Sequence, residues 1–310
     1  MITMKHPLAS ELEGAADPAV RKSVGYHLRL WPPTLIVLAF VTLAAITLAR
    51  NPKLQWNVVG RYLFTAQILG GVINTLELTA ICFVIGGVLG ILLAAMRISG
   101  HPALSTFAGG YSWLIRSIPP LVQLIFWYNL ALILPRLWWP FAKGGSVSTN
   151  TVISGFSAAI LGLALNEAAY IAEIVRGGIR GVSPGEIEAA KALGMRSSQI
   201  YRQVTLPQAI RIALPPLGNQ VIALTKLTSL VAFIGGSDLL SRVTAIYGIN
   251  YEVIPLLIVA SIWYLVLVTG LSLLQMALER RRSRGNASSR KLRSADTASA
   301  LAPIGEGQLS

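Results

Sequence analysis

The chain of 310 residues is 54% hydrophobic and only 13% charged, with a mean hydropathy of +0.62. A soluble domain averages roughly 25% charged residues, so that class is excluded; recurring apolar runs long enough to span a bilayer make this an integral membrane protein. The net charge of +13 sits between and after those runs, which makes it a determinant of membrane orientation and argues against nucleic acid as a partner.

In chain order, residues 1–31 are polar, with Glu11, Glu13 and Asp17 ahead of Arg21, Lys22 and Arg29, and read as a mobile tail. The apolar run at 32–49 follows a tail too long and too acidic for a signal peptide, so it reads as an uncleaved span. Trp56, Arg61 and Tyr62 suit a membrane interface. A second span is expected over 72–95, ended by Arg97, Ser99, Gly100 and Pro102. The third, over 103–134, is too long for one straight helix, and Pro119-Pro120 removes backbone donors at its middle, which predicts a break. Trp138, Trp139 and Phe141 make an aromatic girdle. The fourth span is expected over 151–175, the fifth over 208–233 with a distortion at Pro215-Pro216, and the sixth over 253–277. From Glu279 to the end, residues 279–310 are basic and then rich in Ser, Ala and Gly, the composition of a disordered tail.

With both termini inside, the inside segments hold 18 of the 26 Lys and Arg, against 6 outside. The positive-inside rule therefore favours six spans with cytosolic ends, and it puts the polar island at 183–207 in the cytosol. That island has helix signals. Ser183 suits an N-cap, Pro184 the first helical position and Glu186 the third residue of a capping box. Gly194 suits a stop, Ser197 and Ser198 a second start, and Leu206-Pro207 a second stop. A hairpin of two short helices, with little bulk at Ala189, Ala190 and Ala192, offers a docking surface, or is an ordinary loop.

Glu188-Ala189-Ala190, then Leu193-Gly194, Ile200 and Leu206-Pro207 resemble the EAA signature of membrane-spanning subunits of bacterial ATP-binding-cassette (ABC) importers. Over residues 71–275 the chain resembles the polar amino acid permease branch, the histidine/glutamine permease-like proteins. The resemblance implies an all-α integral membrane protein of the inner membrane, with a five-helix type I ABC importer core at 70–278 plus one N-terminal helix. It further implies that the loop at 183–207, through the residues just named, enters a cleft of an ATPase subunit. ATP and magnesium would then belong to a dimer of that partner, with no cofactor in this chain. A second permease copy or paralogue, a periplasmic solute-binding protein and an amino-acid substrate complete the implied assembly.

Ionisable groups in a bilayer cost roughly 2.5–3.5 kcal/mol each, so each is a candidate functional residue. Glu77, near the end of its span, reads as structural. Arg116 lies just before the proline break, with Gln123 after it. It either forks onto a solute carboxylate or pairs with Glu167 or Glu173. The family's segment reads close to Arg-Gly-Thr-Pro-Leu-Leu-Val-Gln, from which Ser117, Ile118 and Pro120 depart. Asn166, Tyr170 and Glu173 share one helix face, with Glu167 beside it; the family often has a small residue near position 167. Glu173 is placed to pair with Arg176 or Arg180 or to meet solute. Asn219 and Lys226 are seven residues apart on the fifth span, and Leu227 stands where the family often has an acid. These residues (Arg116, Gln123, Asn166, Glu167, Tyr170, Glu173, Asn219 and Lys226) form the candidate solute path, each with a bundle-internal ion pair or packing role as the alternative.

No phosphate loop of the Gly-x-x-x-x-Gly-Lys-Ser/Thr type occurs, and Gly86, Gly87 and Gly90 read as close helix packing. Neither a metal-ligand cluster nor a nucleophile–base constellation is present, so the chain reads as a non-enzymatic pore subunit. The competing reading is an ion-coupled secondary transporter or channel, for which inverted repeats would be the signature, and none is visible.

Overall fold

The computed structural model describes the backbone of residues 18–138 and 145–300, and side chains over 33–138 and 145–280. The expected girdle residues Trp139 and Phe141, and the outer parts of both tails, lie outside the described residues. Contacts divide the chain into two units, Met1–Asn57 and Val58–Ser310.

The first unit is built on α1 (Pro18–Arg50). Its apolar part, Pro33–Arg50, is long enough to cross a membrane. The helix begins well before the expected span, with Pro18 at a position where its missing N–H is harmless.

The helix α2 (Trp56–Tyr62) begins two residues before the second unit, and α3 (Ala66–Ile98) follows within it. Then come α4 (Pro102–Ser117), α5 (Pro120–Tyr128) and the short α6 (Leu130–Ile133). The expected third span is thus two helices. Ile118 and Pro119 are both extended, with ψ of 130° and 135°. A two-stranded antiparallel ribbon pairs β1 (Arg136–Trp138) with β2 (Ser146–Ser148), Leu137 opposite Val147. The chain continues through α7 (Thr149–Val152), α8 (Gly155–Arg180), α9 (Pro184–Ala192), α10 (Ser197–Gln199) and a wide π turn at Ile200–Thr205. That turn leads into α11 (Leu206–Leu227), and a tight 3₁₀ segment follows at Thr228–Ile234. The last two helices are α12 (Leu239–Asn250) and α13 (Val253–Ala300). Among the described residues, five helical segments are long and apolar enough to cross a membrane, α1 included. With the broken α4–α5 pair they make up the six spans.

α8 is the centre of the bundle. It starts at a capping box between Ser154 and Ser157, and small residues line its buried faces. α3 lies directly against it through Gly86 and Gly90. A Cβ on Gly86 would stand 2.7 Å from the Cβ of Glu167, and one on Gly90 would stand 2.8 Å from the Cβ of Ile171. Gly162 gives the same close approach to Leu124 of α5, and Gly178 to the carbonyl of Ala209 on α11. In lipid, helices gain nothing by hiding apolar surface from water, so backbone proximity of this kind supplies the dispersion contacts that hold them together. Leu78, Cys82, Leu124, Leu163, Leu224 and Val231 fill the space around this centre.

A second cluster, of Ile68, Leu239, Val243, Leu256 and Val259, joins α3, α12 and α13. The segment that becomes α12 is not marked by the sequence as an element, but Asp238 is its N-cap. The carboxylate is 2% exposed and accepts from the N–H groups of Leu240 and Ser241, from the Ser241 hydroxyl, and from Tyr264 Oη at 3.4 Å. Thr75 Oγ1 on α3 accepts from Leu239 N at 3.0 Å. Burial pushes the Asp238 carboxyl above its ordinary range, and the bonds from Ser241 and Leu240 pull against that.

At the far end, α13 carries helical backbone on to Ala300, through the stretch for which composition predicts disorder. Arg, Lys and Ala in that stretch all favour helix.

Gly86→Val and Gly90→Val should each lower thermal stability in detergent, by about 1–3 kcal/mol for overpacking. Gly87→Val, at a glycine with nothing within 4 Å, should leave the melting curve in place. Equal behaviour of the three would show that the α3–α8 contact is not tight. For the cap, Asp238→Ala should cost about 1–2 kcal/mol. Asp238→Asn, which keeps an acceptor and removes a buried charge, should cost clearly less in the same melting assay.

Candidate functional site

α8 positions most of the candidate residues. Asn166 and Glu167 sit halfway along it and are 2% and 0% exposed. Gly162, one turn before Asn166, touches Leu124, and Tyr170, one turn after, lies beneath Arg116, so this face looks at the α4–α5 layer. Asn166 Nδ2 has no protein partner there. Glu167 projects to the other side, between α3 and α11. Its Oε2 accepts from Gln220 Nε2 at 3.3 Å, while its Oε1 is buried with no protein partner. A buried carboxylate oxygen and a buried amide nitrogen therefore stand unsatisfied on neighbouring residues. Most buried polar side-chain atoms are paired, so these two, on different sides of α8, stand out from the rest of the helix.

The arginine takes neither ion pair open to it. Arg116 is exposed, and its guanidinium carbon lies 5.4 Å from the centre of the Tyr170 ring, a cation–π contact. Glu173 pairs instead with Arg176 one turn along the same helix, through Nε at 3.0 Å and a second, shorter contact from Nη2. That pair belongs to the end of α8 that leads into the hairpin and accounts for Glu173 without a solute.

Gln123 has a structural task. Its Nε2 donates to Ile115 O at 2.7 Å and to Ile118 O at 2.8 Å, two carbonyls next to the break at Pro119. The side chain thereby stands in for donors the prolines lack. Its Oε1 is buried without a protein partner.

On α11, Lys226 is exposed and forms no ion pair among the described residues. Asn219 Oδ1 accepts from Gln275 of α13 at 3.2 Å, so it faces that helix. The residue that does reach α8 is Gln220, which the sequence reading passes over in favour of its neighbour Asn219. Its signal is that of any polar residue in an apolar span, but only register distinguishes 219 from 220.

The loop at 183–207 is a helical hairpin with two departures from expectation. The capping box does not form. Ser183 makes no side-chain cap, and Glu186 accepts instead from Gln208 Nε2 on α11. Leu206-Pro207 does not end a helix either, because α11 begins there. Leu206 N bonds five residues back, to Tyr201 O, and this wider spacing accommodates the proline in the first turn of α11. The stop at Gly194 does form. Gly194 has φ of +73°, its N–H bonds Lys191 O, and Met195 N bonds Ala190 O, the Schellman pattern. Ala190 and Ile200 are buried inside the hairpin, 4% and 6% exposed. Glu188, Ala189 and Pro207 are exposed, Leu206 is at the surface, and Leu193 projects an apolar side chain that is 82% exposed.

Residues 86–284 match the family described as binding-protein-dependent transport system inner membrane component. The arginine transport system permease protein of Corynebacterium glutamicum is 39% identical over 262 residues, which cover 84% of this chain and 82% of that one. The histidine/lysine/arginine/ornithine transport system permease protein of Escherichia coli is 35% identical over 197 residues, 64% of this chain and 81% of that one. A solved amino acid ABC transporter with histidines is 36% identical, covers 70% of this chain and 95% of that one, and superposes with a TM-score of 0.62. The methionine ABC transporter, at 22% identity and a TM-score of 0.53, shares the fold. A bundle of apolar helices around α8, a helical hairpin with Glu188 and Ala189 exposed and these matches lead to one conclusion: the chain belongs to the binding-protein-dependent transport system inner membrane component family, as a multi-pass inner-membrane permease of the amino acid ABC transporter branch.

Proposed function

We propose that the chain is the pore-forming subunit of an ATP-driven importer for a polar amino acid, and that the solute carries a cationic side chain. The observation that carries the second part is Glu167, fully buried at the middle of α8, held on one oxygen by a neutral amide and unpaired on the other. A solute cation is the missing partner such a carboxylate calls for. Asn166, on the adjacent face, adds a free donor for a carboxylate or a polar group. Arg116 on its Tyr170 support adds a positive charge at the α4–α5 break, suited to the solute's α-carboxylate. The names of the relatives, which include arginine and histidine/lysine/arginine/ornithine transport, are consistent with this choice.

Energy enters through the hairpin. With both chain ends in the cytosol, as the charge distribution favours, the exposed face of Glu188, Ala189 and Leu193 is offered to a dimer of ATPase subunits that hold the ATP and magnesium. The pore needs a second permease copy or paralogue, and a periplasmic binding protein delivers the solute. This chain performs no hydrolysis of its own.

In proteoliposomes holding the complete complex, ATP-dependent uptake of a cationic amino acid should fall about 12- to 150-fold in Glu167→Gln, the equivalent of the roughly 1.5–3 kcal/mol of a hydrogen bond to a charged group. ATP hydrolysis should persist. Undiminished uptake would remove Glu167 from the path, and uptake driven by a proton gradient without ATP would overturn the importer reading. Separately, Glu188→Lys should detach or uncouple the ATPase, read by co-purification and by hydrolysis that no longer accompanies uptake, with membrane insertion unchanged. Survival of both assembly and uptake would mean that the hairpin is not the coupling element.

A further inference from the structure

Pro215 and Pro216 interrupt the hydrogen-bond ladder in the middle of α11. The amide of Gln275, on α13, meets α11 just past the carbonyls of Arg211 and Ile212 that these prolines leave without donors. Its Nε2 donates to Pro215 O and to Asn219 Oδ1, both at 3.2 Å, and lies 2.9 Å from Glu279 Oε1 on its own helix. Gly218 makes the room: a Cβ there would stand 2.7 Å from Gln275 Cδ. The amide has two protons for three acceptors, so Glu279 competes with α11 for them.

The place of this contact along α11 matters. Below it the helix leaves the hairpin at Leu206, and above it Gln220 holds Glu167. We infer that Gln275 is a positioning residue for transport: it holds the half of α11 that carries Gln220, from the proline break onward, against α13, so that movement of the hairpin is felt at Glu167. This inference rests on the importer reading above. If Gln275 merely packed α13 against α11, the loss of its donors would weaken the bundle without changing how much solute moves per ATP.

The test uses the assembled complex in proteoliposomes, with Gln275→Leu, which removes the donors, and Gly218→Ala, which displaces the amide while leaving it in place chemically. Both should lower uptake per ATP hydrolysed by about five- to 150-fold, the range of ordinary coupling energies, with assembly and hydrolysis held within about twofold. Spin labels at Ile210→Cys on α11 and Leu278→Cys on α13, both exposed positions, should show a broadened distance distribution in both variants. Glu279→Ala, which frees both amide protons for α11, should narrow it. Wild-type uptake per ATP in both variants would overturn the inference, as would parallel loss of uptake, hydrolysis and assembly in both. Should the unmutated complex show no ATP-driven uptake, the importer reading itself fails; an unchanged distance distribution in Gln275→Leu then rejects the role of Gln275 on its own evidence.

Discussion

The architecture depends on how closely α3 approaches α8. Gly86 and Gly90 bring the α3 backbone against Glu167, Ala168 and Ile171, at distances no larger residue would allow. The same contact hides Glu167, because the glycine that lets the helices meet also covers its stem. A carboxylate at this depth carries a cost of about 2.5–3.5 kcal/mol on insertion scales, which dense packing on both sides has to offset. The fold therefore holds, within a close helix contact, a buried carboxylate with one oxygen unpaired, and it is this group on which the proposed function rests.

The prolines follow from the same reasoning. Hydrocarbon offers no hydrogen bonds, so every interruption of a helix has to be repaired by protein. Gln123 repairs the break at Pro119 from within its own segment. The start of α12 is repaired by Asp238, with Thr75 from α3 and Tyr264 from α13. Polar residues in the spans thus divide into those consumed in repair and those left over. Gln123 Nε2 falls in the first group. Glu167 Oε1, Asn166 Nδ2 and Gln123 Oε1 fall in the second, and within the proposed function these are the atoms open to a solute.

Much of the scaffold was legible in the sequence because its causes are local. Run length marks the spans, Pro119 removes donors wherever it stands, and the left-handed residue at Gly194 stops α9 whatever surrounds it. Spacing alone put Glu173 within reach of Arg176. What was not legible depends on distant partners. Pro207 reads as a stop until the wide turn at Ile200–Thr205 shifts the ladder around it. Glu186 reads as part of a capping box until Gln208, across the hairpin, takes its carboxylate. Asp238 becomes a cap only where Thr75 and Tyr264 are brought beside it. Gln220 could be told from Asn219 only by knowing which side of α11 faces α8.

That register has a mechanical meaning. α8 and α11 run antiparallel and touch at two levels: Gly178 against Ala209 near the hairpin, and Glu167 with Gln220 deep in the bundle. The two levels are eleven residues apart on both helices, about 16 Å at the helical rise. Equal spacing means that neither helix can slide on the other without breaking both contacts at once. The lower contact is backbone against backbone and leaves no slack. The upper one is a single long hydrogen bond to a carboxylate with a free oxygen, which is the weaker of the two. A push from the hairpin therefore moves the lower ends of α8 and α11 as one body and spends its strain at the upper contact. Within the proposed function, that is where a force applied from the cytosol would most easily change what Glu167 is able to hold.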